Sequence, residues 1–317
     1  MSLVSIFATA ILPIVAVGAV GFALGRATDV RTDPLNTVVV YVLAPALVFH
    51  SLASTSLARS TLVEVAVAVT VYHLVMIVLA EGAGRLFGQR DPFLSALVLV
   101  AAFPNSGNYG IPVSNFAFGS TGRSTAVLFL SVQSVLIYTV GVYIASRGGG
   151  DSGLEGVKRV FQIPLVYAVV AALLARAVGV VPPAGSTAME TLKLVGDSSI
   201  PLMLLILGIQ LSKTDVGSTL SEVGVVTVLK MAVAPVVGVG IALVVGFSDP
   251  SVGRTFVLEC AMPAAVTPLI LVGEFAEGDV AGVPVAEFVS TAVFVTTLVS
   301  VPTLTVTIAL LESGVVL

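Results

Sequence analysis

The chain has 317 residues, of which 57% are hydrophobic and only 10% charged, with a formal net charge of −4. Its mean hydropathy is +1.11. Soluble domains carry about a quarter charged residues, so a water-soluble globular fold is excluded, and no nucleic-acid partner is expected. The apolar residues come in long blocks, each able to cross roughly 30 Å of hydrocarbon, which is the pattern of an all-α polytopic membrane protein.

In chain order, the first block runs over about residues 4–25. It is of full span length and no basic residue precedes Arg26, so it reads as a span and not as a cleaved signal peptide. Spans follow at about 35–53, 60–83, 93–118 and 123–146. The stretch "RGGGDSGLEGVKR" at 147–159 is the most polar and Gly-rich linker in the chain. Beyond it, spans are expected at about 160–180, 188–211, 219–246, 252–275 and 285–311. One cysteine, Cys260, leaves the redox compartment unreadable.

The two sets of five resemble each other. Pro13 in "ILPIVAVGAVGFALGRA" lies over Pro164 in "QIPLVYAVVAALLARAV", and Pro45 in "VLAPALVF" over Pro201 in "SSIPLMLL". "STLVEV" at 60–65 returns as "STLSEV" at 218–223, "AAFP" at 101–104 as "CAMP" at 260–263, and "STAV" at 124–127 recurs at 290–293. Each match alone is weak, but all fall in one order. The expected organisation is therefore a first five-helix repeat over 1–146, a cytoplasmic linker over 147–159 and a second repeat over 160–317. Five is an odd number, so the second repeat enters from the opposite face and the repeats are inverted. Arg26, Arg31, Arg85, Arg90, Arg147, Lys158, Arg159 and Lys213 gather on one side, against Arg59, Arg123, Arg176, Lys193 and Arg254 on the other. The positive-inside rule then puts both termini outside the plasma membrane.

Spans 4 and 9 are interrupted at corresponding places. Span 4 holds Pro104 and Pro112 with Gly107 and Gly110 between them; span 9 holds Pro263 and Pro268. Each proline removes a backbone donor and frees a carbonyl near position i−4. Such backbone is tolerated at membrane depth only inside protein or beside a water-filled cavity, so the two breaks are expected to meet. Half-helix N-termini carry partial positive charge and suit an anion. Asn105, Ser106, Asn108 and Thr267 supply neutral polar groups at that level, and Gln133 is a mid-span amide with a place at the same cavity.

These residues carry a resemblance. "PNSGNYGIP" at 104–112 resembles the crossover of the auxin efflux carrier family, which joins plant auxin exporters to prokaryotic permeases. So do "APALVFHSLA" at 44–53, "LVGDSSIPLMLLILGIQL" at 194–211, "LKMAVAPVV" at 229–237, "MPAAVTPLILVGEF" at 262–275 and "STAVFVTTLVSVP" at 290–302. Gln133 stands where plant members also have Gln. The resemblance implies ten helices with crossing spans 4 and 9, divided into a scaffold of spans 1, 2, 6 and 7 and a transport unit of spans 3–5 and 8–10 that moves as an elevator. Ala264, Ala265 and Thr267 replace the polar side chain that plant carriers place after the second crossover proline. No residue here aligns with their third-span Asp, and their long central loop is absent. These departures favour a prokaryotic organic-anion permease over an auxin carrier.

Ionisable residues inside spans are costly and are functional candidates by default. Lys230 reads either as an attractor for a substrate carboxylate or as the structural partner of Glu259 or Asp197. Asp197, Glu259, His50 and His73 are candidates for proton or ion coupling, the histidines because their charge changes near neutral pH. Glu64 and Glu222 begin spans 3 and 8 at matching positions and read as helix N-terminal acids. No HExxH, no pair of membrane aspartates in a G-x-G-D setting and no Ser–His dyad points to an enzyme. The leading reading is a secondary transporter of a small organic anion such as malate, malonate or an indole carboxylate. The alternative is a sodium/proton antiporter or a sodium-coupled acid symporter of similar fold. Neither cofactor nor metal is expected; the partners are the anion, the lipid bilayer and, left open, a second copy in a homodimer.

Overall fold

A computed structural model describes residues 3–54, 57–147, 164–213, 223–275, 279–280 and 283–316. Lys158, Arg159, Glu222 and nearly all of the expected linker lie outside the described residues. The chain is an all-α membrane protein. Its helices are α1 (Leu12–Ala27), α2 (Thr32–Ser54), α3 (Arg59–Leu86), α4 (Phe93–Ala102), α5 (Ser106–Ser146) and α6 (Pro164–Val178). They continue as α7 (Thr187–Ser212), α8 (Gly224–Val245), α9 (Pro250–Cys260), α10 (Thr267–Phe275) and α11 (Val285–Glu312). Six of these, α2, α3, α5, α7, α8 and α11, are long and apolar enough to cross a membrane by length and composition. The described strands are one short antiparallel pair, β1 (Asp279–Val280) and β2 (Val283–Pro284), ahead of α11.

Helix α3 shows why lipid is the solvent. Val65, Ala68, Val69, Tyr72, Met76 and Ala80 recur at helical spacing and are buried. The opposite face is equally apolar, with Val63, Val67, Leu74 and Val78 exposed. In water that outer stripe would be polar; here it faces hydrocarbon. Helix α4 differs, because every residue from Phe93 to Ala102 is buried. An all-round hydrophobic helix belongs at the centre of a bundle, and α4 leads into the first break.

The prolines fall into two kinds. Pro13, Pro45, Pro112 and Pro235 each stand two residues after a widened π-helical turn, at Phe7–Ile11, Val39–Leu43, Ser106–Gly110 and Leu229–Val233. The extra residue in the turn shifts the carbonyl that the ring would strike, so the helix continues through the proline. Pro112 was expected to break span 4, and instead α5 runs through it. The expected loop between spans 4 and 5 is likewise a bend within α5 at Gly119 (φ 63°, ψ −143°), a conformation that a side chain would strain. Pro268 is the second residue of α10 and starts that half-helix, where no N–H is needed.

Two sets of helices pack most intimately. Helices α1, α2, α6 and α7 form one. Between α1 and α7 the backbones touch: a methyl on Gly21 would overlap the Leu205 carbonyl, and one on Gly208 the Gly18 carbonyl. Small residues permit such approach where no hydrophobic force drives helices together. Arg176 of α6 donates to the carbonyls of Leu52 (3.3 Å), in the last turn of α2, and Leu57 (2.8 Å), just before α3. Helices α3, α4, α5, α8, α9 and α11 form the other set.

Candidate functional site

The two breaks lie between α4 and α5 and between α9 and α10, and they meet. Pro104 and Ala264 form an antiparallel bridge. The Asn105 N–H donates to the Pro263 carbonyl (2.7 Å) and the Ala265 N–H to the Phe103 carbonyl (3.0 Å). Each break thus supplies the hydrogen bonds that the other lost by leaving the helix, as buried backbone demands. Two side chains complete the account. The Gln133 carboxamide donates to the Pro104 carbonyl (2.9 Å), and the Thr296 hydroxyl accepts from the Ala264 N–H (3.1 Å).

Thr296 makes the crossing testable. Thr296→Val keeps the shape and removes the acceptor, leaving a buried N–H unpaired at a cost of about 1–3 kcal/mol. The expected outcome is a lowered thermal unfolding temperature for purified Thr296→Val, with Thr296→Ser close to the parent protein.

A cavity of about 180 Å³ opens on one side of the crossing. Asn105, Ser106, Gly107, Asn108, Gln133 and Thr267 line it, and Val39, Leu165 and Met203 bring in α2, α6 and α7 as its other wall. Its polar groups belong to the break just before α5 (Asn105), the first turn of α5, the first residue of α10 and the C-terminal half of α5. Asn105 is 5% exposed, and its Nδ2 has no hydrogen-bond partner. A buried donor without an acceptor is costly and rare.

The other expected residues are placed elsewhere. Gly110 lies outside the cavity lining, and a methyl there would overlap the Glu259 carboxyl. Lys230 also lies outside it, fully buried, where its ammonium donates to the Tyr72 hydroxyl (3.2 Å) and stands over that ring at 5.7 Å. Tyr72 in turn donates to the Cys260 carbonyl (3.1 Å). The reading of Lys230 as an ion-pair partner of Glu259 or Asp197 is corrected: among the described residues neither carboxylate is within ion-pair distance of it. A tyrosine hydroxyl and ring take the place of a carboxylate. Asp197 bridges Arg123 and Lys193 at 2.6 Å each, partly exposed. His50 lines a second cavity of about 210 Å³ beside those same cations.

His73 is enclosed by Tyr72, Phe103 and Phe129. Its Nδ1 lies 2.7 Å from the Val69 carbonyl and its Nε2 lies 3.3 Å from Gln133 Oε1. That oxygen also accepts from the Ser106 hydroxyl (3.3 Å), so His73 reaches the cavity lining through Gln133. Glu259 is fully buried and accepts from the Ser114 hydroxyl (2.6 Å). Tyr72, Ser114 and Thr296 escape sequence reading, because membrane helices use such residues commonly to pack and to bond their own backbone.

Residues 6–157 and 152–308 match the family described as Membrane transport protein. The chain belongs to that family. The two matched segments join inside the polar linker. A relative from Methanothermobacter thermautotrophicus, described as an "Uncharacterized transporter", is 26% identical over 93% of this chain and 94% of its own length. Another from Rhizobium meliloti, described as a "Putative malonate transporter", is 24% identical over 96% of this chain and 95% of its own. This member of the membrane transport protein family is a transporter and not an enzyme, and the resemblance to the auxin efflux carriers holds across the chain.

Proposed function

We propose that this transporter carries a small organic carboxylate, bound in the cavity at the crossing of the two broken helices. The observation that carries the reading is the Nδ2 of Asn105, a buried donor at that cavity with no acceptor of its own. A carboxylate oxygen supplies the acceptor. The first turns of α5 and α10 open onto the same space and contribute the partial positive charge of helix N-termini. At about 180 Å³ the cavity falls below the roughly 300–1,000 Å³ of drug-sized sites, which favours a substrate of few carbons. The name of the Rhizobium meliloti relative makes malonate the first compound to try, with malate and an indole carboxylate beside it.

The same reading takes the chain as two inverted five-helix repeats in the plasma membrane, with both termini outside. Helices α1, α2, α6 and α7 act as the fixed scaffold and the remaining helices as the moving unit. The cavity lies on the seam between them, walled by the crossing on one side and by α2, α6 and α7 on the other. Substrate held on that seam crosses the membrane when one set slides past the other, an elevator-type alternation.

Thermal unfolding of the purified protein against a panel of mono- and dicarboxylates tests this. A ligand at 100 times its Kd adds about 2.7 kcal/mol to the native state. Malonate or a close homologue is expected to raise the unfolding temperature and to enter proteoliposomes as tracer. A panel that leaves both unchanged rejects the reading.

A further inference from the structure

Glu259 is the penultimate residue of α9, just before the second break. Its carboxyl has no access to solvent. Oε1 accepts from the Ser114 hydroxyl at 2.6 Å, while Oε2 has no hydrogen-bond partner. A methyl on Gly110 would overlap both oxygens, so the carboxyl lies directly on the first turn of α5. No lysine or arginine among the described residues is within ion-pair distance of it. Of the elements packed around it, α3 carries Tyr72 and His73 in its middle and Arg59, Glu64, Glu81 and Arg85 toward its ends, α8 carries Lys230, and α5 carries Tyr109 in its first turn with Arg123, Tyr138 and Tyr143 farther along; Cys260 and Arg254 are on α9 itself. Lys230 is engaged by Tyr72, and Tyr109 by Ser300. Helix α11 carries only Glu287 and Glu312, at its two ends. A carboxylate charge with one hydroxyl donor and one bare oxygen in such an interior is strongly disfavoured.

A proton resolves this where a metal ion does not. Among the described residues Glu259 belongs to no cluster of three or more histidine, cysteine or acidic side chains, so it lacks companions for the six or more oxygen ligands that a hard divalent ion takes. The site also communicates with the cavity. Ser106 precedes Gly110 by four residues and so stands on the same face of the turn. Its hydroxyl donates to Gln133, and both residues line the cavity. The Ser106 hydroxyl also stands close enough to act on the Glu259 carboxyl, so ionisation of Glu259 draws it away from Gln133. An anion in the cavity and a charge on Glu259 also repel through a medium of low dielectric. Each therefore favours the neutral state of the other, and the linkage is reciprocal.

We infer that Glu259 is the proton-binding site of the transport cycle, loaded together with the anion and carried with it across the membrane. The proton comes from water on the loading side and returns to water on the other; no other bond forms or breaks. The inference rests on the carboxylate-transport reading and adds the coupling ion to it.

Two measurements on the intact protein test it separately from substrate identity. In infrared spectra near neutral pH, the carbonyl stretch of a protonated carboxylic acid is expected in the parent protein, lost in Glu259→Gln and displaced but present in Glu259→Asp. A spectrum without that band, or one unchanged by Glu259→Gln, overturns the inference whatever the substrate. In proteoliposomes clamped at zero potential, an inward gradient of about one pH unit is expected to drive about tenfold accumulation of tracer malonate. Glu259→Gln is expected to abolish the gradient-driven part. Malonate flux indifferent to the gradient overturns the coupling, and absence of malonate flux with the infrared band in place rejects the substrate and leaves the proton site standing.

Discussion

Asn105→Ala is expected to weaken carboxylate binding about 10- to 100-fold while leaving the empty protein as stable as the parent or slightly more so. The two halves of that outcome share one cause. In the empty site the Asn105 Nδ2 is buried without an acceptor, so removing it relieves a desolvation cost and breaks no bond of that amide donor. In the loaded site the same donor meets a charged oxygen, an interaction worth about 1.5–3 kcal/mol. Backbone pairing at the crossing survives, since Asn105 contributes to it through its main-chain N–H alone. Ligand-induced thermal shifts and tracer flux read the first half; unfolding without ligand reads the second. Loss of stability in the empty protein together with unchanged affinity would show Asn105 to be a structural strut.

The contrast between Asn105 and Lys230 shows what sequence makes visible. Both stand out as polar residues in apolar surroundings. Only the structure separates a buried donor without an acceptor, on a residue that lines a cavity, from an ammonium claimed by a tyrosine, because Tyr72 reads along the sequence as one more helix-packing residue. Proline gave the two breaks away through its missing N–H, and Pro104 and Pro263 do sit where the chain leaves the helix. The same signal misled at Pro112 and Pro268, since a widened turn or a first-turn position absorbs a proline without a break. The pairing of Pro104 with Ala264 has no local signature at all. It joins residues far apart in the chain through main-chain atoms, which every residue shares. Of the cavity lining, Asn105, Ser106, Asn108, Gln133 and Thr267 were legible by type and position; Ser134, Tyr138, Val39, Leu165 and Met203 were not, reading as ordinary residues of membrane helices.

Gly208→Ala is expected to cost about 3 kcal/mol, at the upper end of what overpacking usually costs. A Cβ there would overlap the Gly18 carbonyl and crowd the Phe22 amide, both of them backbone that cannot rotate away. Gly21 faces the same seam from α1, against the Leu205 carbonyl, so neither helix can yield by a local shift. The control lies in the same contact: a methyl on Gly18 itself would meet nothing within 4 Å, and Gly18→Ala is expected to leave stability unchanged or raise it, as alanine favours helix. Thermal unfolding of the two variants separates close approach from mere glycine flexibility. Their transport behaviour separates fixed from moving parts. If α1 and α7 belong to a scaffold, folded Gly208→Ala keeps a substrate KM close to that of the parent, because the polar groups of the cavity are carried by other helices and α7 adds only Met203 to its wall. If α1 and α7 must slide past each other in the cycle, separating them changes turnover as well as stability, and the assignment of the scaffold falls with it.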